Sequence, residues 1–264
     1  MKWNRLAIAA AGCLLATGAS AAPLDLSSWT ARTLDFPGEQ PAGNWVLGAG
    51  NTEVTQTVNA DPSFFLNNQN FTKFTIQGSW QALTSSDNDY MGFVFGYQNS
   101  SNFYAFDWKQ GNQSAGASFA AAGMTIKRFT GATGNGLVDL SIDELWENEH
   151  DFGDMRVLAT NHGAGKGWVD NVLYDFFLDF NTVPGQFTVT VKEGATTLWN
   201  QTVNDSTFTA GQFGFYNNSQ APVRYAGFVQ EGGEEPTPSV PEPASLSLMA
   251  MALAGIRFVA RRRQ

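Results

Sequence analysis

Apolar and polar residues alternate along the middle of the chain in a pattern that predicts β-strands. Between Phe71 and Leu83, for example, one side of the segment carries Phe74, Ile76 and Trp80, and the other side is mostly polar. A period of two residues is typical of a strand with one buried face. The segments predicted as strands are Glu53–Val58, Phe71–Leu83, Tyr90–Tyr97, Phe103–Lys109, Met124–Phe129, Met155–Thr160, Val172–Phe180, Gln186–Glu193, Thr196–Val203, Gln212–Asn217 and Val223–Gln230.

The spacing of these segments indicates a single all-β domain. Short strands separated by turns rich in glycine and asparagine are typical of two antiparallel sheets packed as a sandwich. No long helical period occurs between Thr30 and Val229, and only Asp139–Glu147 favours one helical turn. We therefore predict that residues 22–230 form one two-sheet antiparallel sandwich, since about 210 residues suit one large β domain.

The most distinctive segment is Asp87–Gln110, DNDYMGFVFGYQNSSNFYAFDWKQ. It joins two predicted strands through the polar turn Gln98–Asn102, whose short side chains can bond their own backbone. Gly92 and Gly96 interrupt the first strand, which indicates that a neighbouring group approaches closely there. The segment therefore predicts a tight β-hairpin.

This hairpin resembles the C-terminal domain of thrombospondins residue by residue, as do Asn44–Leu47 and Val54–Pro62 before it. Looser matches follow at Gly167–Trp168, Tyr174–Leu178, Gly185–Gly194, Gly211–Gln220 and Tyr225. The resemblance implies a jelly roll of the concanavalin A-like (L-type) lectin class and a binding role rather than catalysis. The chain departs from the family in lacking a preceding array of DxDxDG calcium repeats, and in carrying Asp107 where an apolar residue is usual.

The first 21 residues predict a secretory signal peptide. Lys2 and Arg5 give it a basic start, Leu6–Thr17 an apolar core, and Ala19–Ala21 an A-x-A site, so that we expect cleavage after Ala21. Cys13 leaves open a lipoprotein alternative, although the residues before it match a lipobox only loosely. Without Cys13 the exported chain has no cysteine and is held together without disulfide bonds.

The C-terminal segment 240–264 predicts a sorting tail. Val240–Ser245 is followed by the short apolar run Leu246–Ala260 and by the basic stop Arg261–Arg263. The layout resembles the PEP-CTERM signal of Gram-negative bacteria, which implies processing by an exosortase and transient anchoring in the inner membrane through a short transmembrane segment. A plain membrane anchor is the alternative. The acidic segment 231–239 is predicted to be a flexible linker.

The charge of the exported chain excludes one class of partner. Six of the 15 basic residues lie in the two terminal signals, so that nine remain against 24 acidic residues. Nucleic acids are bound by clustered lysine and arginine, and we therefore predict no nucleic-acid partner. The acidic balance is compatible with divalent cations or with solubility alone.

Oxygen-bearing side chains cluster in the loop before the hairpin, at Asp87, Asn88 and Asp89. Calcium takes six to eight oxygen ligands, so that a second loop must contribute. Asn59 and Asp61 are the expected contributors, because the family resemblance is strong there. The sequence thus predicts a calcium site from these five residues, with a solvated asparagine- and aspartate-rich turn as the alternative.

Two further features bear on function. Trp146 lies in a charged neighbourhood and is the predicted ligand-binding tryptophan, because lectins place aromatic side chains against sugars. Glu149, Asp151 and Asp154 approach the E-x-D-x-x-E pattern of some glucanases, which leaves open a glycan hydrolase.

We expect an exported surface or matrix protein that binds extracellular polysaccharide or a matrix protein and is stabilised by calcium. The alternatives are that hydrolase and an inert coat protein.

Overall fold

The computed structural model describes residues 23–234, so that the predicted signal peptide and sorting tail lie outside the described residues. Within this range the chain forms sixteen strands, two short helices and a 3-10 turn at Ala49–Asn51. The strands are β1 (Thr30–Thr33), β2 (Trp45–Leu47), β3 (Glu53–Gln56), β4 (Ser63–Leu66), β5 (Lys73–Ala82), β6 (Tyr90–Asn99), β7 (Asn102–Lys109), β8 (Gln113–Ala115), β9 (Ser118–Ala120), β10 (Gly123–Thr130), β11 (Met155–His162), β12 (Tyr174–Phe180), β13 (Gln186–Glu193), β14 (Thr196–Asn204), β15 (Gln212–Asn218) and β16 (Val223–Glu234). The helices are α1 (Gly136–Asp139) and α2 (Ile142–Trp146).

Two seven-stranded antiparallel sheets make up the domain. The first sheet has the order β1-β4-β15-β6-β7-β10-β11, and the second has the order β14-β13-β12-β5-β16-β3-β2. The hairpin β8-β9 stands apart as a two-stranded sheet. The last two strands along the chain, β15 and β16, therefore lie inside the two sheets rather than at their edges. This arrangement confirms the predicted all-β jelly-roll sandwich.

All eleven predicted strands are present, whereas five short strands escaped prediction: β1, β2, β4, β8 and β9. The predicted boundary at the C-terminal end also shifts. The last strand continues to Glu234, four residues into the segment predicted as a flexible linker, because Glu231 and Glu234 pair with Thr75 and Lys73 of β5. Pairing with a central strand holds these acidic residues in an extended conformation.

The main core lies between the two sheets and is dominated by aromatic side chains. Trp80 stacks on Phe176 with ring centroids 4.9 Å apart, and Phe93 stacks on Phe106 at the same separation. Aromatic pairs at such distances add to the free energy of burial itself. A packed aromatic core of this size can stabilise the domain without disulfide bonds.

A second core covers the outer face of the first sheet, which was not predicted. Phe64, Val94, Phe103 and Tyr216 point away from the main core and are packed beneath α2 and the neighbouring loops. Consequently β6 and β7 are buried at nearly every position, although their residues alternate between two cores rather than between core and solvent. This covered outer face carries the polar groups described below.

Helix α2 closes over that face and is fixed at its start. Ser141 accepts a hydrogen bond from the backbone of Glu144, and the Glu144 carboxylate accepts one from the backbone of Ser141. Such a reciprocal capping box satisfies two backbone donors at the helix N-terminus. The helix thereby holds Leu145 and Trp146 against the sheet, within the segment predicted as a helical turn. No helix within residues 23–234 is long and apolar enough to cross a membrane.

Candidate functional site

A buried lysine lies at the centre of the predicted calcium cluster. The side chain of Lys109, at the end of β7, has no exposed surface, and the three N–H groups of its ammonium are shared among four oxygen atoms within hydrogen-bond distance. These are the backbone carbonyl and side-chain oxygens of Asn88 at 2.8 and 2.9 Å, Asp89 Oδ1 at 2.5 Å and Gln113 Oε1 at 2.9 Å. We call this group of Asn88, Asp89, Lys109 and Gln113 the lysine nest.

Two aromatic rings complete the surroundings of the Lys109 ammonium. Its nitrogen lies 5.0 Å from the ring centre of Trp146 and 5.8 Å from that of Tyr90. Ring faces attract cations, and more strongly where water is excluded. Burial lowers the pKa of Lys109, while its bond to Asp89 and the charge of Asp87 oppose that change. The lysine nest is therefore an ion pair with a hydrogen-bonded shell.

The other predicted metal ligands point elsewhere. Asn59 donates to Asp87 Oδ2 at 2.9 Å, so that these two side chains contact each other at the surface. Burial, followed by repulsion from Asp89, raises the pKa of Asp87 to about 6. Asp87 also accepts a hydrogen bond from the backbone of Asn88 at 3.0 Å, so that it borders the lysine nest without being one of the four oxygens around the Lys109 ammonium.

Asp61 holds a loop instead of facing a cation. It is buried, and its two carboxylate oxygens accept hydrogen bonds from the backbone of Phe36 at 2.6 Å and of Gln40 at 3.0 Å. Burial raises the pKa of Asp61, although these two hydrogen bonds oppose the shift. Asp61 therefore fastens the segment that carries Glu39 against the rest of the domain.

The arrangement does not fit a calcium ion at the predicted position. No group of three or more acidic, histidine or cysteine residues suited to a metal occurs within residues 23–234. The oxygens of Asn88 and Asp89 surround the Lys109 ammonium, and a divalent ion bound among them would be repelled by that positive charge. The five predicted ligands are thus divided among a surface contact, the lysine nest and a loop clamp, and calcium binding stays a prediction.

A second buried ion pair lies beside the lysine nest. Lys127 of β10 and Asp107 of β7 approach to 2.7 Å, with exposures of 0% and 1%. The Lys127 ammonium also donates to the carbonyl of Leu145 in α2 and lies 5.0 Å from the Tyr90 ring centre. Burial raises the pKa of Asp107, and the charge of Lys127 opposes this. Asp107, the departure from the family pattern, is therefore compensated by a lysine from the adjacent strand.

A pocket of about 430 Å³ lies beside the lysine nest. It is lined in part by Glu39, Asp61, Gln113, Asp143, Trp146 and Asn218. Trp146 is only 6% exposed, donates from Nε1 to the carbonyl of Gln113 at 3.4 Å and packs edge-on against Tyr90. The predicted ligand-binding tryptophan is thus a buried part of the pocket wall and not an exposed platform. We call this cavity the acidic pocket.

The lysine nest and the acidic pocket share a wall. Gln113 accepts from Lys109 through its side chain and from Trp146 through its backbone, and it also lines the pocket. Sequence reasoning missed Lys109 and Gln113 as site residues. The sequence did carry a signal for Lys109. Side chains alternate between the two faces of β7, so that Asp107 and Lys109 lie on the same face as Phe103 and Ala105.

The acidic segment around α2 is used to hold loops together. The carboxylate of Glu147 accepts hydrogen bonds from the backbone of Phe119, Glu149 and His150. Asp151 accepts one from the backbone of Val157. Glu149 and Asp151 lie in a loop before β11, so that the regular strand required by a glucanase-like arrangement is absent there.

Comparisons with known proteins agree with this architecture. The thrombospondin C-terminal region matches residues 40–231. Thrombospondin-2 of Gallus gallus is 31% identical over 189 residues, which are 69% of this chain and 16% of that protein. Cartilage oligomeric matrix protein of Bos taurus is 30% identical over 209 residues, covering 76% of this chain and 27% of that protein. The chain thus spans less than a third of the length of these relatives.

A solved structure shares the fold. The carbohydrate binding module CBM66 from Bacillus subtilis superposes with a TM-score of 0.50 at 13% identity, covering 78% of this chain and 96% of that module. A PEP-CTERM protein-sorting motif matches residues 239–263, which implies exosortase processing and marks the protein as exported and surface-associated, with a transiently anchored tail. With its family match extending over residues 40–231, the chain belongs to the thrombospondin C-terminal region family.

Proposed function

We propose that this exported domain binds extracellular polysaccharide through the acidic pocket. The observation that carries the proposal is the composition of that pocket, which combines the wall of Trp146 with the acids Glu39 and Asp143 and with Asn218. Binding sites for small polar ligands are concave and pair apolar surface with a few well-placed hydrogen-bonding groups. Sugar hydroxyls can donate to the carboxylates, while the apolar wall excludes water from one side of the ring.

The pocket is held in place by its surroundings. Asp61 fastens the loop that carries Glu39, and Gln40 of the same loop donates to Ser219 at 2.7 Å. Asp143 is fixed from the other side, since its Oδ1 accepts from the Ser118 hydroxyl at 3.0 Å. A site whose walls are already bonded to the scaffold loses little conformational entropy when a ligand binds.

The proposed binding mode does not involve calcium. Two of the carboxylates that line the pocket, Asp61 and Asp143, accept hydrogen bonds from backbone or hydroxyl donors, and the predicted calcium loop surrounds Lys109 instead. The proposal therefore concerns a direct contact between protein and glycan. Calcium-dependent retention on polysaccharide would argue for a different mode of binding.

The experiment compares two matched pairs of substitutions on a glycan microarray and on the polysaccharide of the producing bacterium. Glu39→Gln with Asp143→Asn removes two pocket charges with little change in shape, and Glu193→Gln with Asp175→Asn removes two exposed charges from the second sheet. We expect the pocket pair to weaken binding roughly tenfold or more, as the loss of charged hydrogen-bond acceptors does. The control pair is expected to bind like the native protein.

Three results would contradict the proposal. One is unchanged binding by the pocket pair, and another is an equal loss in both pairs, which would indicate a general charge effect. The third is a native protein that binds no glycan in either assay, which is the behaviour expected of an inert coat protein. Melting temperatures of all variants serve to exclude unfolding as the cause of any loss.

A further inference from the structure

We propose that Lys109 is a built-in cation, whose ammonium takes the place of a metal ion and orders the Asp87–Asp89 loop without one. The loop carries the oxygen-rich sequence that favours a divalent cation. The ammonium of Lys109, a residue of the chain itself, lies against the oxygens of this loop. The loop is then ordered independently of metal.

The donor set around Lys109 is of the kind that calcium prefers. It consists of one backbone carbonyl, two side-chain amide oxygens and one carboxylate, all within 2.9 Å of the nitrogen. Calcium sites mix carboxylate, amide and backbone carbonyl oxygens in the same way. The lysine nest is thus an oxygen shell that already contains a cation.

The position of Lys109 on a central strand explains how the cation is held. Lys109 pairs with Tyr90 of β6 and with Gly123 of β10, so that its backbone is fixed on both sides. The side chain then reaches outward beneath Asn88 and Gln113, which lie at the surface and cover it. A lysine tethered to a rigid strand does not dissociate, whereas a bound metal ion is lost when its free concentration falls.

The charge of the nest is balanced without a second cation. Asp89 is buried and bonded to Lys109, and its backbone amide donates to Gln220 at 2.8 Å. Removing the ammonium alone would leave Asp89 as a buried carboxylate without its charge partner, a condition that strongly destabilises proteins. A divalent ion supplied from solution could then enter the vacated shell.

The experiment measures melting temperature in calcium and in a chelator for the exported protein and two lysine variants. For the native protein we expect the same melting temperature in both. Lys109→Ala is expected to melt well below it in chelator and to gain about 5 °C in saturating calcium, as a bound ion would give in a domain of this size. Lys127→Ala is the control, because Lys127 is equally buried but contacts one carboxylate and one carbonyl, so that calcium should not restore it.

Two outcomes of the melting experiment would overturn the proposal. A native protein that calcium stabilises, with the effect abolished by Asp89→Asn, would overturn the proposal, because the loop would then bind metal beside the lysine. A Lys109→Ala variant that calcium does not stabilise or refold would overturn it as well. Calcium titration of the native protein by calorimetry gives a measurement that needs no variant: absence of heat at the loop supports the proposal, and a binding curve that Asp89→Asn removes contradicts it.

Discussion

The buried pair of Asp107 and Lys127 offers the sharpest test of the outer face of the first sheet. Both side chains are almost fully buried and their charges lie 2.7 Å apart, so that each depends on the other for compensation. Removing one partner of such a pair costs about 3–5 kcal/mol, because the remaining charge stays in a site without water. Lys127→Met should therefore lower the melting temperature by roughly 6–20 °C, at about 2–4 °C per kcal/mol for a domain of this size.

Replacing both members should have a much smaller effect. Asp107→Leu combined with Lys127→Met replaces both charged side chains by apolar ones and leaves no charge behind, and such replacements are often neutral or stabilising by about 1–4 kcal/mol. Urea unfolding followed by tryptophan fluorescence, applied to both single variants and the double variant, gives the coupling energy. A double variant whose loss equals the sum of the two single losses would refute the assignment of Asp107 and Lys127 as mutually compensating charges.

Three further predictions concern neighbouring positions. Because the pKa of Asp87 is raised to about 6 in the folded state, its contribution to stability is present below pH 4 and is lost as the pH rises towards 6. Asp87→Asn should thus stabilise the protein at pH 7 by roughly 1 kcal/mol, allowing for solvent screening, and by less at pH 4; thermal melts at the two pH values check the sign. Gly92→Ala should destabilise the domain by about 1–3 kcal/mol in urea unfolding, since its Cβ would overlap the Phe106 carbonyl, whereas Gly111→Ala, with ordinary contacts, should not. Glu149→Gln should leave any glycanase activity measured on a polysaccharide panel unchanged, and a specific loss of turnover would revive the hydrolase alternative.

The strands were predictable because their side-chain period is local. Each of the longer strands carries its own alternation, and β13 begins and ends where the pattern predicts. The missed strands are three or four residues long, which is too short for a period to be recognised. Their pairing depends on partners distant in sequence, as when Thr30 of β1 pairs with Leu66 of β4.

The candidate site was predictable only in part, for a related reason. The Asp87–Asp89 loop was predicted as a cation-binding sequence, and the structure places the Lys109 ammonium, from the second strand after the loop, against oxygens of Asn88 and Asp89. Local sequence cannot show which side chain a distant strand places beneath a loop. Trp146 was likewise predicted as a site residue, yet its burial results from the covered outer face of the first sheet, which alternation alone does not reveal.

The positions of β15 and β16 have a consequence for how the protein leaves the cell. β15 separates β4 from β6, and β16 separates β3 from β5, so that neither sheet can close before the end of the domain is available. Contacts between residues far apart in sequence form late and slowly. A polypeptide that crosses the membrane from its N-terminus would therefore stay unfolded and threadable until its last strands emerge. The sorting motif begins a few residues after β16, so that on this route the tail would reach the membrane directly after the last strand.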